Sequence, residues 1–456
     1  MLKHKPQTLP LSLVEQVQEF LNDHPQLKSV DLMLADMNGV IRGKRIEVGS
    51  LLKIAEEGMC LPASVFALDI CGETVEQTGL GFAQGDGDRI CHLLPHSLSM
   101  IPWKNDAAQA LLTMHEVDGS PFFADPRQLL CKALKGLHQQ EYFPCVAIEW
   151  EFYLLDAAAD TEQPLPPLLP LSQQRMEQTQ VYSLDELDEF AEFIQDIQSY
   201  CHTQNIPSDN VIAEYAPGQF EVTLQHQTDP LLACDQAILL KRAIKAVAKK
   251  HGYNATFMAK PYAEHSGNGC HVHISMLDAQ GKNVFAEDLG VLHYALAGLL
   301  DTMPQAIALL APNANSYRRF QPDMFVPLQA NWGWDNRTVA LRIPSGSKQN
   351  TRIEHRVAGA DCNPYIVMSA LLFGIQHGLA QQLSCAEPVS GDASKEHAPA
   401  LPTSWEQALN EFHQSSLWHL LGDDFSHVYH ANKLNEWQRF EAAVTPLEQQ
   451  WYQQMV

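Results

Sequence analysis

The sequence predicts an α+β fold, in which a small first domain precedes a larger one with a mostly antiparallel sheet and helices on one face. Three observations support this prediction. The chain has 456 residues, 45% of them hydrophobic and 18% charged, which is globular composition and enough length for two or three domains. A turn cluster, Asp118-Gly119-Ser120-Pro121, divides the chain. Beyond that cluster, segments with helical periodicity alternate with strand-like segments.

The first part is predicted to contain a short amphipathic helix at residues 11–22 and a β-hairpin. The hairpin pairs Val30–Ala35 with Val40–Val48, because Asn38-Gly39 between two apolar runs is a strong turn signal. Residues 61–103 are predicted to form small strands and loops. We therefore divide the chain into an N-terminal helical extension, a small domain and a larger domain, at residues 1–27, 28–118 and 119–456.

The larger domain is predicted from periodicity and from helix-start signals. Asn363-Pro364 is an N-cap followed by proline at the first helical position, and it opens a helix to about Leu383. Thr403-Ser404-Trp405-Glu406 is interpreted as a capping box. The other predicted helices are Arg127–Gln140, Leu184–Thr203, Pro230–Lys250 and Leu292–Leu310. The predicted strands are Cys145–Leu155, a strand pair within Val211–Leu224, Ala255–Lys260 and His271–Met276.

Charge and cysteine content restrict the class of protein. The chain has 30 Lys+Arg against 54 Asp+Glu, so a general nucleic-acid backbone binder is excluded and no nucleic-acid partner is expected. Ten cysteines without a C-x-x-C pair indicate reduced thiols. The N-terminal apolar stretch is too short for a signal peptide, and the apolar stretch 295–312 contains Asp301 and Pro304. We expect a cytoplasmic protein without a membrane partner.

Two pairs of glutamates are the first candidate site residues. Strand periodicity places Glu149 and Glu151 on one face of a strand whose other face is apolar; a solvated sheet face is the alternative. If Pro217-Gly218 is the centre of a two-residue turn, Glu214 lies opposite Glu221. Two facing carboxylates are destabilising without a cation, although a chance pair on a solvent-exposed hairpin has the same pattern.

A glycine-rich loop and a basic cluster complete the pattern. The loop Ser266–Gly269 leads into a strand in which His271, His273 and Ser275 share a face, where backbone amides can approach a ligand. The H-x-H pair also suits zinc, or two buried hydrogen-bonded histidines. Residues 318–356 contain seven basic and three acidic residues, which indicates an anionic ligand or intramolecular ion pairs. The basic residues are Arg318, Arg319, Arg337, Arg342, Lys348, Arg352 and Arg356.

Glutamates and histidines facing arginines favour Mg²⁺ or Mn²⁺ over zinc, and such ions together with arginines favour ATP as the ligand. At this point a family resemblance is evident. The segments IEWEFYLL, EYAPGQFEVTL, SGNGCHVHIS, APNANSYRRF, NRTVALRIP and TRIEHRVAGADCNPY occur in the order typical of the glutamine synthetase family, which the chain resembles from about residue 28 to its end. The resemblance implies a β-grasp domain at 28–118, a catalytic domain at 119–456 and a homo-oligomer of stacked hexameric rings, a dodecamer, with sites between neighbouring subunits.

The resemblance also implies roles for individual residues and two or more metal ions per site. It implies a first metal ion held by Glu151, Glu214 and Glu221, and a second held by Glu149, His271 and Glu354. It implies ATP contacts from His273, Ser275, Arg342 and Arg352. It implies glutamate contacts from Gly267, Arg319 and Arg356. It implies catalytic roles for Arg337, which stabilises the transferring phosphoryl group, and for Arg319 and Arg356.

Two departures from the family pattern concern the substrate. The stretch 61–65 lacks the Asp that takes a proton from ammonium in relatives that use ammonia, and Phe325 occupies the position of their flap Glu. An aromatic residue there suits a larger amine with an aliphatic body. Segments such as PASVFALDI and QPDMFVP are similar to the γ-glutamylpolyamine synthetase branch, and the nearest group is the γ-glutamylputrescine synthetases. We assign Phe325 and Ser64 to the amine pocket.

The predicted function is ATP-dependent ligation of L-glutamate to putrescine or another primary amine through γ-glutamyl phosphate, in polyamine catabolism. The alternatives are a glutamine synthetase that uses ammonia, a non-catalytic relative with the same ring fold, and a zinc hydrolase based on the H-x-H pair.

Overall fold

The computed structural model describes residues 11–159, 164–178, 181–322, 324–395 and 397–456. Residues 1–10 of the predicted extension and Asp323 of the basic cluster lie outside the described residues. All ten cysteines are free. None of the helices in the described ranges combines the length and apolar character that crossing a membrane requires.

The first part of the chain forms a six-stranded mixed sheet with two helices. In this sheet the strands have the order β2-β1-β6-β4-β3, β5 pairs with β6, and β1 and β6 are parallel neighbours. The helices are α1 (Leu13–Asp23) and α2 (Leu51–Glu57). The strands are β1 (Ser29–Ala35), β2 (Ile41–Glu47), β3 (Met59–Pro62), β4 (Asp88–Leu93), β5 (Ser99–Met100) and β6 (Ala107–His115).

The predicted helix and hairpin of this part are confirmed. Strands β1 and β2 pair antiparallel with Ala35 opposite Ile41. The carboxylate of Asp36 accepts hydrogen bonds from the backbone amides of Asn38 and Val40, at 2.8 and 2.9 Å, which closes the loop between the two strands. The predicted boundary at 118 falls in a tight turn after β6, and the division of the chain there stays a prediction.

The second part contains an eight-stranded sheet that is antiparallel except for one strand pair. Its order is β12-β13-β14-β11-β7-β9-β8, with β10 also paired to β7, and among the described strands of this second sheet only β12 and β13 are parallel. The predicted mostly antiparallel sheet is therefore confirmed. Its strands are β7 (Phe143–Asp156), β8 (Ser208–Ala213), β9 (Gln219–Leu224), β10 (Tyr253–Thr256), β11 (Cys270–Leu277), β12 (Trp332–Trp334), β13 (Leu341–Ile343) and β14 (Ile353–His355).

Helices cover one face of this sheet. The indole Nε1 of Trp150 on β7 donates to the carbonyl of Ala237, at 3.2 Å, and the Lys241 ammonium lies 3.5 Å from the Trp150 ring centroid; Ala237 and Lys241 both belong to helix α6. The helices of this part are α3 (Pro126–His138), α4 (Leu184–Glu189), α5 (Ala191–Thr203), α6 (Pro230–Lys250), α7 (Val284–Glu287), α8 (Leu289–Leu310), α9 (Pro364–Gln381), α10 (Trp405–His413), α11 (Ser416–Leu421), α12 (Asp423–Glu441) and α13 (Pro446–Tyr452).

Three predicted elements differ in detail. The single helix predicted over 184–203 is two helices, because the backbone leaves helical geometry at Phe190. Helix α10 begins one residue later than the predicted capping box requires: Ser404, not Thr403, is the N-cap and accepts from the Gln407 amide. The strand predicted at 255–260 is β10, which ends at Thr256.

Helices α8 and α9 approach so closely that only glycine fits between them. A Cβ atom on Gly298 of α8 would lie 2.2 Å from the Gly374 carbonyl oxygen and 2.5 Å from the Gly378 nitrogen of α9. Both distances are far below a normal van der Waals contact, so a side chain at position 298 forces the two helices apart.

We therefore expect Gly298→Ala to lower the free energy of unfolding by about 1–3 kcal/mol, because it overpacks a helix contact that cannot relax locally. Thermal and urea unfolding measure this loss. Gly49→Ala is the matched control, because a Cβ atom on Gly49 meets nothing within 4 Å. Equal stability of the two variants would contradict the close approach.

Candidate active site

Strand register brings the predicted site residues together on the face of the sheet opposite to helix α6. Glu149 of β7 lies opposite His271 of β11, and Glu151 of β7 lies opposite Glu221 of β9. On the other side of β11, His273 lies opposite Glu354 of β14. Side chains of four neighbouring strands therefore meet at one point, and the predicted common face of Glu149 and Glu151 follows directly from the two-residue period of β7.

The predicted pairing of Glu214 with Glu221 is wrong. Glu221 lies opposite Ile212 of β8. Pro217-Gly218 is the centre of a type II turn: the Gln219 amide donates to the Ala216 carbonyl at 2.9 Å, and Gly218 has φ +73°. This turn type requires a positive φ at its third residue, which glycine supplies, and it adds residues between the strands. Glu214 therefore lies beyond the end of β8, yet it still points to the same site.

The carboxylates form two candidate metal clusters that share Glu221. Ligand atoms of Glu151, Glu214 and Glu221 lie within 4.8 Å of one another, and those of Glu149, Glu221 and His271 do so as well. Burial and then the neighbouring carboxylates raise the pKa of Glu221 to about 10. Burial and then Glu151 raise the pKa of Glu214 to about 8. These four carboxylates and one imidazole are placed closely enough to hold a cation, and carboxylate-rich sites suit Mg²⁺ or Mn²⁺.

Both histidines of the H-x-H pair bind Glu149. The Nδ1 atom of His271 lies 3.3 Å from one carboxylate oxygen, and Nε2 of His273 lies 2.9 Å from the other. Burial alone would raise the pKa of Glu149, but the two histidines hold it well below its usual range. The Nε group of Arg352 donates to Nδ1 of His273 at 3.2 Å. Both ring nitrogens of His273 are thus occupied, which argues against the alternative of zinc bound by an H-x-H pair.

Glu354 is engaged by arginines rather than by either carboxylate cluster. One of its oxygens accepts from Nη1 of Arg342 at 2.8 Å, and the other accepts from Nη1 of Arg356. Burial would raise the pKa of Glu354, but these arginines and the two histidines lower it to about 2. Arg342 also pairs with Asp335 at 2.6 Å. The ion pairs considered for the basic cluster therefore exist for Arg342 and Arg356, and metal ligation by Glu354 stays a prediction.

The glycine-rich loop packs directly against Arg319. A Cβ atom on Gly267 would lie 2.6 Å from Cγ of Arg319 and 2.7 Å from the Ala259 carbonyl oxygen, so a larger residue at 267 displaces the arginine. The guanidinium of Arg319 is buried and donates from Nη1 to the Val357 carbonyl at 3.1 Å, while its Nε has no partner. Buried arginine with free donor capacity is suited to an anionic ligand.

Gln219 is a site residue that the sequence analysis missed. Its Nε2 atom donates to the Gly267 carbonyl and to Oδ1 of Asn268, both at 3.1 Å. Its Oε1 atom accepts from the Ser266 hydroxyl at 2.5 Å. Gln219 therefore anchors the glycine-rich loop to β9. It lies two residues before Glu221, so strand periodicity already places it on the site face.

Two aromatic rings form a wall of the cleft. Phe325 is 57% exposed, and its ring stacks on Tyr215 with a centroid distance of 5.6 Å. The backbone of Phe325 has φ +53°, which is rare for a bulky residue. Ser64, the other predicted amine-pocket residue, is buried in the first part of the chain and does not line this cleft.

Two cavities meet at Glu149, His273 and Arg352. The first cavity, of about 660 Å³, contains both carboxylate clusters and the aromatic wall; its lining includes Gly267, Arg319, Phe325, Arg337, Arg342, Glu354 and Arg356. The second cavity, of about 1120 Å³, is lined by Ser275, Asn283 and Asn350 among others. Of the four predicted ATP residues, His273, Ser275 and Arg352 line the second cavity, whereas Arg342 faces only the first.

Comparisons with known proteins agree with this arrangement. Residues 123–452 match the family described as glutamine synthetase, catalytic domain. The chain is 48% identical to the γ-glutamylputrescine synthetase PuuA of Escherichia coli K12, over 96% of this chain and 94% of that protein. It is 33% identical to a glutamate–isopropylamine ligase of a Pseudomonas species, over 88% and 89%. A solved structure titled "Apo GmaS without ligand" superposes with a TM-score of 0.83 at 26% identity, over 95% and 98%.

We expect Glu221→Gln to stabilise the metal-free protein, because burial among carboxylates forces the folded chain to keep Glu221 protonated, and a neutral amide does not have this cost. The folded chain retains the Glu221 proton up to about pH 10, whereas the unfolded chain releases it near about pH 4.3. Wild-type stability without metal therefore falls as the pH rises through this window. The variant cannot titrate at position 221, so its stability lacks this fall. Thermal unfolding at about pH 6 and about pH 9, with a metal chelator, measures the difference.

Glu354→Gln is the control, for which we expect the opposite effect on stability. It leaves the buried Arg356 without its carboxylate and removes one of the two carboxylates that pair with Arg342, so we expect it to destabilise the protein by about 3 kcal/mol. If both variants lowered the unfolding temperature, the carboxylate clusters would not be repulsive and would need no cation.

Proposed function

The chain belongs to the glutamine synthetase family, and from this premise we propose that it joins the γ-carboxyl group of L-glutamate to putrescine or a related polyamine at the expense of ATP. One observation carries the choice of amine: an aromatic wall, Tyr215 and Phe325, lies beside the acidic clusters in the same cavity. The 48% identity to a γ-glutamylputrescine synthetase supports the same choice. The alternative, a glutamine synthetase that uses ammonia, has no need of an apolar wall for its small substrate.

The residues present fit two divalent ions. We propose that Glu151, Glu214 and Glu221 hold one ion and that Glu149 and His271 hold the other, with Glu354 close to the second. Mg²⁺ or Mn²⁺ bound there would neutralise charge on the phosphates and on the reacting carboxylate. The remaining catalytic contributions come from the chain itself, which positions the substrates and compensates the charge that develops between them.

We propose that ATP occupies the second cavity and that glutamate occupies the first. Ser275 and Arg352 line the nucleotide end, while Arg319 and Arg356 supply the donors for the glutamate carboxylates at the other end. The γ-carboxylate of glutamate attacks the γ-phosphorus of ATP, the bond to ADP breaks, and γ-glutamyl phosphate forms. Arg337, exposed and facing the first cavity, is proposed to stabilise the phosphoryl group during transfer.

The amine then attacks the acyl carbon, and phosphate leaves with the bonding electron pair. The attacking nitrogen must first lose a proton. Desolvation against the rings of Tyr215 and Phe325 lowers the pKa of an amine, because burial disfavours its charged form. The aromatic wall therefore both holds the methylene chain and favours the reactive free base.

We also propose a homo-oligomer of stacked hexameric rings. Ser64 does not line the cleft of its own chain and lies just after β3, in the predicted first domain. In a ring, this domain of one subunit can face the cleft of its neighbour, which would return Ser64 to the amine pocket.

The experiment that tests the function is ATP-dependent phosphate release with glutamate and either putrescine or ammonia. We expect kcat/KM for putrescine to exceed that for ammonia by at least about tenfold, since the hydrophobic and cation–π contacts of the aromatic wall are lost with ammonia. A higher value for ammonia would replace this proposal by the glutamine synthetase alternative.

Phe325→Ala should lower kcat/KM for putrescine by about two- to thirtyfold, the range of one cation–π contact of roughly 0.5–2 kcal/mol. Phe325→Tyr retains a ring and should keep most of the activity. Phe82→Ala removes a phenylalanine that is 88% exposed and outside the cleft, so it controls for nonspecific effects. Unchanged putrescine kinetics in Phe325→Ala would remove the aromatic wall from the amine site.

A further inference from the structure

Glu264 is a carboxylate of the first cavity whose role the proposed mechanism leaves open. It lies in the loop between β10 and β11 and lines the same cavity as Tyr215 and Phe325. It is exposed. Within the described part of the chain, no lysine, arginine or histidine nitrogen lies within 4.0 Å of its carboxylate. Its charge is therefore available to a ligand in this cavity.

Every other glutamate of this cavity is already engaged. Glu151, Glu214 and Glu221 form one carboxylate cluster, and Glu149 is bound by two histidines. Glu354 is neutralised by Arg342 and Arg356. Glu264 belongs to neither cluster and has no ion pair, so it is the one acidic side chain among the described lining residues that is free to bind an organic cation.

The nearest contacts tie the Glu264 loop to the segment that carries Phe325. The buried ammonium of Lys260 donates to the His265 carbonyl and lies 3.9 Å from the sulfur of Met324. Lys260 thus links His265, the residue after Glu264, to Met324, the residue before Phe325. This contact links the segment that carries Glu264 to the segment that carries Phe325. The Lys260 ammonium forms no ion pair with Glu264 within 4.0 Å, although the two charges still attract each other at longer range.

A diamine presents two ammonium groups, of which only one becomes the nucleophile. The other keeps its charge throughout the reaction, and a buried or half-buried cation needs an opposite charge. The carboxylate clusters cannot supply it if they hold metal ions. The rings of Tyr215 and Phe325 lie along the cavity and suit the methylene chain between the two nitrogens.

We infer that Glu264 binds the non-reacting ammonium group of an α,ω-diamine and thereby sets the preference for diamines over monoamines. The inference rests on the proposed function and adds the side chain that binds the second ammonium group of the substrate. Glu264 makes no contact with the reacting atoms in this arrangement, so it determines specificity and takes no part in the chemistry.

The test compares putrescine with n-butylamine, which has the same four-carbon chain and a single amino group. In Glu264→Gln, we expect KM for putrescine to rise about five- to tenfold, the magnitude of a partly exposed charge pair. We expect kcat for putrescine and both constants for n-butylamine to change less than about twofold, because the lost interaction is the same before and during the reaction. Glu264→Asp should restore part of the preference.

Glu19→Gln is the matched control, since it removes the same charge from an exposed position on α1 outside the cleft. A ratio of putrescine to n-butylamine kcat/KM that is unchanged in Glu264→Gln would overturn the inference and leave the proposed function intact. Equal loss with both amines would also overturn it, because it would show a general effect on the cleft. If the wild-type enzyme used neither amine, the proposed function itself would be wrong.

Discussion

The crowding of carboxylates on one face of the central strand β7 is the constraint on which the rest of the site depends. Glu151 and Glu221 lie directly opposite each other, an arrangement that costs free energy unless a cation lies between them. The sheet tolerates this because the opposite face of β7 packs its apolar side chains against helix α6, with Trp150 at the centre. The buried face fixes the register, and the register in turn fixes the distances between the acids.

The arginines of the cleft fall into two groups: some pair with an acid of the fold, and one keeps a donor for a ligand. Arg342 and Arg356 neutralise Glu354, so one carboxylate is satisfied within the fold and remains ionised at any ordinary pH. The Arg319 side chain packs against Gly267 of the glycine-rich loop, and its Nε atom retains an unpaired donor. Because Glu354 is neutralised by arginines, the carboxylates that could share a cation are confined to a small region of the sheet.

Local patterns predicted the faces of the strands, but they could not predict the register between them. The two-residue period correctly placed Glu149 with Glu151, because it depends only on the strand itself. The pairing of Glu214 with Glu221 failed because it required the geometry of the Pro217-Gly218 turn. Gln219 was within reach of the same periodicity and was overlooked. Glu264 gave no signal, since an exposed acid in a loop is indistinguishable in sequence from an ordinary solvated residue.

The junction of the two cavities at Glu149, His273 and Arg352 has a consequence for traffic through the enzyme. With ATP in the second cavity and the amine in the first, as proposed, the two substrates would share only the region around these three residues. Spent nucleotide would then exchange without displacing the amine, and the far end of a long amine would extend past Glu264 without obstructing that exchange. In this arrangement, the length of the amine would not affect the exchange of ADP for ATP.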